Sequence, residues 1–486
     1  EALAESLLLA AGGAVAGLAL AYAGLRALVA IAPPELYADR ILRIDAWVLG
    51  FTAAVAVLAG LLFGILPAWQ ISRVAGYETL KEGSRSGTAT MARQRARAFL
   101  VVAEIALALV LLVGAGLFLR SFANVTGVNP GFDARGLMTA EVRLPRDAQD
   151  ANPGPRWIQQ HQMVLERLKS LPGVTGAAIG LSLPFSGSDG SSSFGIQGRE
   201  QRRGDPGPHS RIRYVSPEYF DTLRVPVIRG RAFTDQDRMG AEPVALLDDN
   251  LARQYWPQED PVGKYLLAGR NNPPVRIVGV VGNVKQTDLA VDTNKGIRYY
   301  PVYQRGLPFG AYIVRTTGDT LAAGPAMRQA IREVTPTQPV FNVESMEARI
   351  RLTLAPRRFV IGMLALFAST ALFMASLGLY GVISYSVSQR TQEIGIRMAL
   401  GAQRQQVVSL IVGQGIRLAL AGVGVGFLAA GLLARLVATQ LYQVSPFDPL
   451  TFVVMSAVLG LVALAASFLP ARRATRIDPL VALRYE

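Results

Sequence analysis

Cysteine is absent from this sequence, which excludes disulfide staples, thiolate metal ligands and thiol catalysis. Histidine is almost absent. The two present, His161 and His209, stand far apart, which argues against a zinc site or a Ser-His-Asp triad. Charge is also scarce. Asp, Glu, Lys and Arg make up only 17% of the 486 residues, where a soluble globular chain carries about a quarter. The deficit is concentrated in long uncharged runs, so membrane insertion explains it better than an unusually apolar core.

Hydrophobic residues fill that gap, at 51% of the chain. A helix needs roughly 20 apolar residues to cross the hydrocarbon core. Runs of that kind extend over Ser6–Leu25, Ala46–Ser72, Leu100–Leu119, Phe359–Gln389, Val407–Ala434 and Pro449–Ala471. They predict an α-helical bundle of about six spans. Buried helices of a soluble protein would account for one or two such runs, not for all of them. No charged n-region with a cleavage site precedes the first run, so it does not read as a signal peptide.

Lys and Arg near the span ends set the orientation. Arg73, Lys81, Arg85, Arg93, Arg95 and Arg97 follow the second span, Arg390, Arg397 and Arg404 follow the fourth, and Arg472, Arg473, Arg476 and Arg484 follow the last. An even number of spans separates these segments, so all three fall on the cytoplasmic side and residues 121–356 fall outside. The same segments carry more than half of the formal charge of +14. No stripe of basic and aromatic residues stands out in the outer region. The basic balance therefore reads as topology and attraction to anionic lipid, with the bilayer and not nucleic acid as partner.

A repeat orders the spans. Leu66-Pro67-Ala68 matches Leu469-Pro470-Ala471 at one constant offset, and so do Arg73 and Arg476, and Asp45 and Asp448. Gly13 and Gly17 in the first span share a GxxxG spacing with Gly422 and Gly426 in the fifth, a pattern that suits close helix packing. The chain reads as the last two helices of one unit followed by a complete four-helix unit, and an N-terminal part of the first unit is expected to precede it. Parallel repeats of this kind recur in transporters.

Residues 121–356 predict a mixed α/β domain. GLMTAEVRLP and VRIVGVVGNV alternate as strands do, Pro155–Leu171 has helical spacing, and PVALLDDNLARQYWP and GAYIVRTTG with its continuation read as strand-then-helix units. GLSLPFSGSDGSSSFG reads as a mobile loop.

Candidates for chemistry are few. Ser186, Ser188 and Ser191–Ser193 lack a histidine-acid pattern, and Gly263-Lys264 lacks the glycine that a phosphate loop requires. Asp248-Asp249 falls where a strand passes into a helix, which favours capping over catalysis. Glu104 is the one acid inside a span, a functional candidate by default, yet near enough to the basic end to snorkel or pair with Arg97. Between the fourth and fifth spans, apolar Ile394, Met398 and Val407 alternate with Glu393, Arg397 and Arg404, with Gly401 as a stop. This predicts a short amphipathic helix at the cytoplasmic surface, either plainly interfacial or a docking element.

EIGIRMALGA at 393–402 resembles the cytoplasmic signature of FtsX-like ABC transporter permeases of the macrolide-exporter, MacB-like type. The terminal LPARRATRIDPLVALRYE resembles that family's closing motif, and VSPEYFDTLRVPVIRGRAFTDQD and LARQYWPQEDPVGK resemble its periplasmic domain. The duplicated layout is similar to the acidobacterial-type duplicated permeases. LLDDNLA departs from the pattern by carrying Asp where an Asn-Glu pair is expected.

The resemblance implies a bacterial inner-membrane permease whose inserted α/β domain, of the MacB type, lies in the periplasm. It divides the chain into two helices of a first unit at 1–72, a basic linker at 73–98 and an opening helix of the second unit at 99–122. The periplasmic domain with its stalk follows at 123–356, and three closing helices with a coupling helix at about 391–404 occupy 357–486. It implies docking of a cytoplasmic ABC ATPase on Glu393, Ile394, Gly395, Ile396, Arg397, Met398, Leu400, Gly401 and Ala402. The chain itself is expected to be no enzyme and to hold no cofactor, with ATP-Mg on a separate ATPase. A second permease copy and a periplasmic adaptor are further partners it brings into view. The implied function is export of an antibiotic, peptide, lipid or lipoprotein. The alternative is a non-transporting mechanotransmission protein that regulates a periplasmic partner such as a cell-wall hydrolase.

Overall fold

The computed structural model describes residues 2–31, 44–74, 86–146, 150, 152–199, 207–269, 273–290, 295–400 and 403–475. The chain divides into a helical unit, Glu1–Asn124 with Ala355–Glu486, and an α/β unit, Val125–Leu354.

The first three helices are α1 (Ala2–Ile31), α2 (Ala46–Val74) and α3 (Ser86–Thr126). The basic stretch Arg93–Arg97, within the linker expected at 73–98, is helical and lies inside α3. Strands β1 (Leu137–Arg143), β2 (Val174–Gly180), β3 (Ser191–Ser193), β4 (Gly195–Ile196), β5 (His209–Val215) and β6 (Val227–Gly230) follow, with α4 (Gly154–Lys169) and α5 (Tyr219–Leu223) between them. Then come β7 (Val244–Asp248), α6 (Asp249–Tyr255), β8 (Tyr265–Leu267), β9 (Pro274–Val281), β10 (Ile297–Pro301), β11 (Phe309–Thr316), α7 (Thr320–Val334), β12 (Val340–Ser345) and α8 (Met346–Thr353). The chain closes with α9 (Ala355–Gln389), α10 (Thr391–Ala399), α11 (Arg404–Leu436) and α12 (Pro449–Ala474).

In the α/β unit one mixed sheet runs β12-β1-β11-β2-β5-β10-β7-β9-β8-β4, with β3 added on β5 and β6 on β9. Two of its pairings, β10–β5 and β7–β9, are parallel. Helix α4 buries Trp157, His161, Val164, Leu165 and Leu168, the i, i+4, i+7, i+8, i+11 stripe of an amphipathic helix. That stripe joins Met327, Ala330 and Ile331 of α7 over β1, β2 and β11 in one core. A second core gathers Leu247, Leu251, Trp256, Leu266 and Ile277 around β7, β8 and β9. Each fully buried aliphatic side chain contributes about 1.5–3 kcal/mol. The Gly/Ser run expected as loop is partly strand, because Ser191–Ser193 pair with His209–Arg211 through backbone bonds that ask nothing of the side chains.

In the helical unit, five helices among the described residues are long and apolar enough to cross a membrane, at 7–27, 95–126, 355–389, 404–436 and 449–474. Helix α2 is also long, at 29 residues, with a shorter apolar stretch over 46–61. Val101, Ile105, Leu109, Val113 and Leu117 make an i+4 seam on α3. Small residues let the neighbours approach it. A Cβ at Gly422 of α11 would collide with Ile105, and one at Gly426 would stand 2.9 Å from the Ala106 carbonyl oxygen. By contrast, nothing lies within 4 Å of a Cβ at Gly13 or Gly17. Leu354 breaks the helical run from α8, and α9 starts at Ala355 with Pro356 in its first turn, where a ring without an N–H is tolerated.

Candidate functional site

The turn into α10 is built locally. The Arg390 N–H bonds to the Val387 carbonyl at 3.1 Å, and Thr391 Oγ1 donates to the Ser388 carbonyl at 2.9 Å. These bonds close α9 and let α10 start in a new direction, with the Ile394 N–H reaching back to the Arg390 carbonyl. On the far side Gln403 and Gln406 form a reciprocal capping box that starts α11. Nine helical residues are thus held between two fixed ends.

One face of α10 is anchored. Ile394 is buried in the helical core beside Val407 and Ile411 of α11, Gly395 is buried, and Met398 packs against the same cluster. The other face is open. Ile396 is 43% exposed and Leu400 82%. Four residues apart, they stand on one side of the helix. Beside them Arg397 pairs with Glu393 at 2.6 Å, both half-exposed. Such an exposed i,i+4 pair contributes only about 0.3–0.5 kcal/mol, so it shapes the surface more than it holds the helix. Gly401 and Ala402 lie outside the described residues.

Between α10 and α11 runs a polar groove of about 680 Å³, lined by Arg390, Arg397, Gln406, Gln414 and Arg417 among others. Arg417 stands out in the sequence as the one charge of the fifth span, with the same ambiguity as Glu104; the glutamines of this groove were not singled out, because on α11 they interrupt an apolar run without changing its period. The arrangement offers a rigid helix with an apolar two-residue tip and a basic, amide-rich flank. That is the chemistry of a surface docking onto another protein's groove.

The other candidates resolve differently. Arg97 does not pair with Glu104. Its guanidinium lies over the Tyr385 ring of α9, 4.3 Å from the centroid. Seven residues along a helix separate the two charges by about 10 Å of rise, and the neighbouring helix is nearer. Glu104 faces Gly378 of α9, and its Oε2 has no hydrogen-bond partner among the described residues. Asp248 is a helix cap: it accepts the N–H groups of Leu251 and Ile297, both at 2.9 Å, and burial pushes its carboxyl up to about 7. Asp249 pairs with Arg253 one turn on. His209 touches Ser191 and Ser193 across the β3–β5 pair, but no carboxylate orients its ring among the described residues. His161 is buried, donating from Nε2 to the Leu307 carbonyl while Nδ1 accepts from the Tyr312 hydroxyl.

Residues 365–479 match the family described as FtsX-like permease C-terminal, and residues 100–333 match MacB-like periplasmic core domain. An uncharacterized ABC transporter permease, YknZ of Bacillus subtilis, is 26% identical over 62% of this chain and 79% of its own length. A macrolide export ATP-binding/permease protein, MacB of Yersinia pestis, is 25% identical over 87% of this chain. The chain spans only 60% of the length of that relative. A solved periplasmic region of MacB from Actinobacillus actinomycetemcomitans, 15% identical, covers 48% of this chain and 97% of its own, with a TM-score of 0.31.

Proposed function

We propose, from the premise that this chain is an FtsX-like ABC transporter permease with a MacB-like periplasmic core domain, that α10 is where an ABC ATPase docks. The ATPase binds ATP and Mg, and this chain carries the resulting motion through the membrane to the outer unit. The membrane is the inner membrane of a bacterium, with the α/β unit on the periplasmic side. The work done there is export of a small molecule, peptide or lipid. A second permease copy and a periplasmic adaptor complete the assembly in this reading.

One observation carries the proposal. Ile396 and Leu400 are exposed on a short helix whose opposite face is buried in the core of the helical unit. Exposed apolar residues at a helix tip fit a partner's pocket, and the buried face transmits displacement to α9 and α11.

The test uses the full chain co-expressed with a candidate ABC ATPase subunit from the same organism. An Ile396→Glu/Leu400→Glu variant is expected to insert and melt as the parent does, since both side chains are exposed. Recovery of the ATPase with the permease, and permease-stimulated ATP hydrolysis, are each expected to fall at least tenfold. Undiminished copurification and stimulation in that variant would overturn the docking assignment.

A further inference from the structure

A pocket of about 610 Å³ opens on one face of the sheet, lined wholly by residues of the α/β unit. The parallel register of β5 and β10 builds its floor by setting Tyr300 beside Tyr214 and Arg298 beside Ile212. Side chains two apart on a strand share a face, so all four present the same side of the sheet. The two tyrosine rings lie 5.7 Å apart, tilted by 32°. Val244, Val275 and Pro301 extend the apolar wall.

The charge of this pocket is one-sided. Among the described residues its lining holds Arg238, Arg298 and Arg305 and no aspartate or glutamate. Arg298 is fully buried beneath the floor. Its Nε donates to Ser210 Oγ at 2.7 Å, Nη1 to the Tyr300 hydroxyl at 3.1 Å, and Nη2 to the Ser192 carbonyl and Oγ, both at 2.9 Å. All these acceptors are neutral, and the Phe194 ring, 4.3 Å away, supplies only a quadrupole. With no carboxylate beside it among the described residues, this buried guanidinium is an uncompensated charge, and an anion above the floor would offset it. At the rim, Arg305 is exposed, held by the Tyr214 hydroxyl at 2.9 Å, and Arg238 is exposed. The nearby Glu242 side chain is committed elsewhere, to Tyr265 and Arg276.

We propose that this pocket binds an amphiphilic organic anion, a small molecule with one carboxylate, sulfonate or phosphate group and a flat apolar body. The rim arginines take the head group with directed N–H donors. The tyrosine rings and aliphatic wall take the body, and the buried Arg298 biases the whole floor toward negative charge. The volume suits a ligand of drug size. Neither the pocket nor its charge depends on what docks at α10.

The probe is 2-naphthoate, titrated calorimetrically into the full chain in phosphatidylcholine nanodiscs, with empty nanodiscs subtracted. Neutral 2-naphthylmethanol and cationic 2-naphthylmethylamine are the controls. Saturable one-to-one binding of the anion is expected, at least tenfold tighter than the neutral compound, with no saturable binding of the cation. Arg238→Ala/Arg305→Ala, both exposed and therefore safe for folding, is expected to weaken 2-naphthoate at least tenfold. Tyr300→Leu is expected to weaken both the anion and the neutral compound. Equal affinity for anion and alcohol, parental affinity in the double arginine variant, or no saturable binding above empty nanodiscs would each overturn the proposal.

Discussion

Gly426 of α11 rests directly on the backbone of Ala106 in α3: a Cβ at 426 would stand 2.9 Å from the Ala106 carbonyl oxygen and 3.0 Å from its Cα. Backbone does not yield as a flexible side chain does, so any larger residue must push the helices apart. Gly426→Leu is expected to lower stability by about 1–3 kcal/mol, the usual cost of overpacking. Gly17→Leu, in the same GxxxG spacing but with open space around it, is expected to be neutral. Thermal melts of both variants in detergent check this, and equal losses would show that α1 packs as closely as α11.

Arg349 of α8 reaches Glu141 of β1 with both terminal nitrogens at 3.1 Å and Glu344 of β12 at 3.1 Å. Arg349 and Glu141 are both buried. Arg349→Met removes the charged partner of the buried Glu141 and is expected to cost about 3–5 kcal/mol, whereas Glu141→Leu, which leaves Arg349 its pair with Glu344, is expected to cost less. The pair replaced together, Arg349→Met/Glu141→Leu, is expected to recover most of that loss. Urea unfolding of the three variants decides it, and additive losses would mean that the two charges act independently.

These two contacts mark what a sequence can and cannot say. The spans, the strand-then-helix units and the helix over Pro155–Leu171 were legible because their periods are local. The matched aspartates of the repeat also proved to have a local reason. Asp448 accepts the Thr451 N–H at 3.0 Å and Asp45 accepts the Val48 N–H at 2.9 Å, so each caps the helix it precedes. Spacing alone could not separate Gly13 and Gly17 from Gly422 and Gly426, since a GxxxG pattern says that a helix can be approached but not that a neighbour is there. The Glu141–Arg349 pair and the side-by-side placement of Tyr214 and Tyr300 depend on strand order and register, which join residues remote in the chain. For α10 the amphipathic pattern was plain in Ile394, Met398, Glu393 and Arg397. That Leu400 is the exposed tip, while Ile394 is the anchor, needed the three-dimensional fold.

His161 and Asp248 pull the pH dependence of the outer unit in opposite directions. Burial holds His161 down at about 4, so its neutral form belongs to the fold. The unfolded chain then binds more protons between pH 6.5 and 4, and His161 withdraws about 3 kcal/mol of stability as pH falls through that window. Asp248 is pushed up to about 7, so the folded state binds more protons between pH 4 and 7. Its contribution is full at low pH and about 4 kcal/mol is lost as pH rises to 7. Relative to the parent, His161→Gln is expected to gain stability toward pH 4, and Asp248→Asn, which preserves the helix cap, to gain it toward pH 7. Hydrogen exchange of the β10 and β11 amides in the full chain reads both slopes. Parallel slopes in the two variants would contradict the assignment.

Glu104 lies in the seam between α3 and α9, its Oε2 without a hydrogen-bond partner among the described residues and placed where a Cβ on Gly378 would go. A carboxyl left unpaired among apolar helices costs about 1–3 kcal/mol. Glu104→Leu is therefore expected to raise the melting temperature of the purified chain. Gly378→Ala is expected to lower it, because the new methyl collides with the carboxyl, and to have little effect in a Glu104→Ala background, where that collision is gone. The double-mutant cycle isolates the contact from any general effect of filling the seam. A fall in melting temperature for Glu104→Leu would show instead that the carboxyl is held by a partner. The size of the gain in Glu104→Leu measures how much stability the helical unit gives up to keep an acid in this seam.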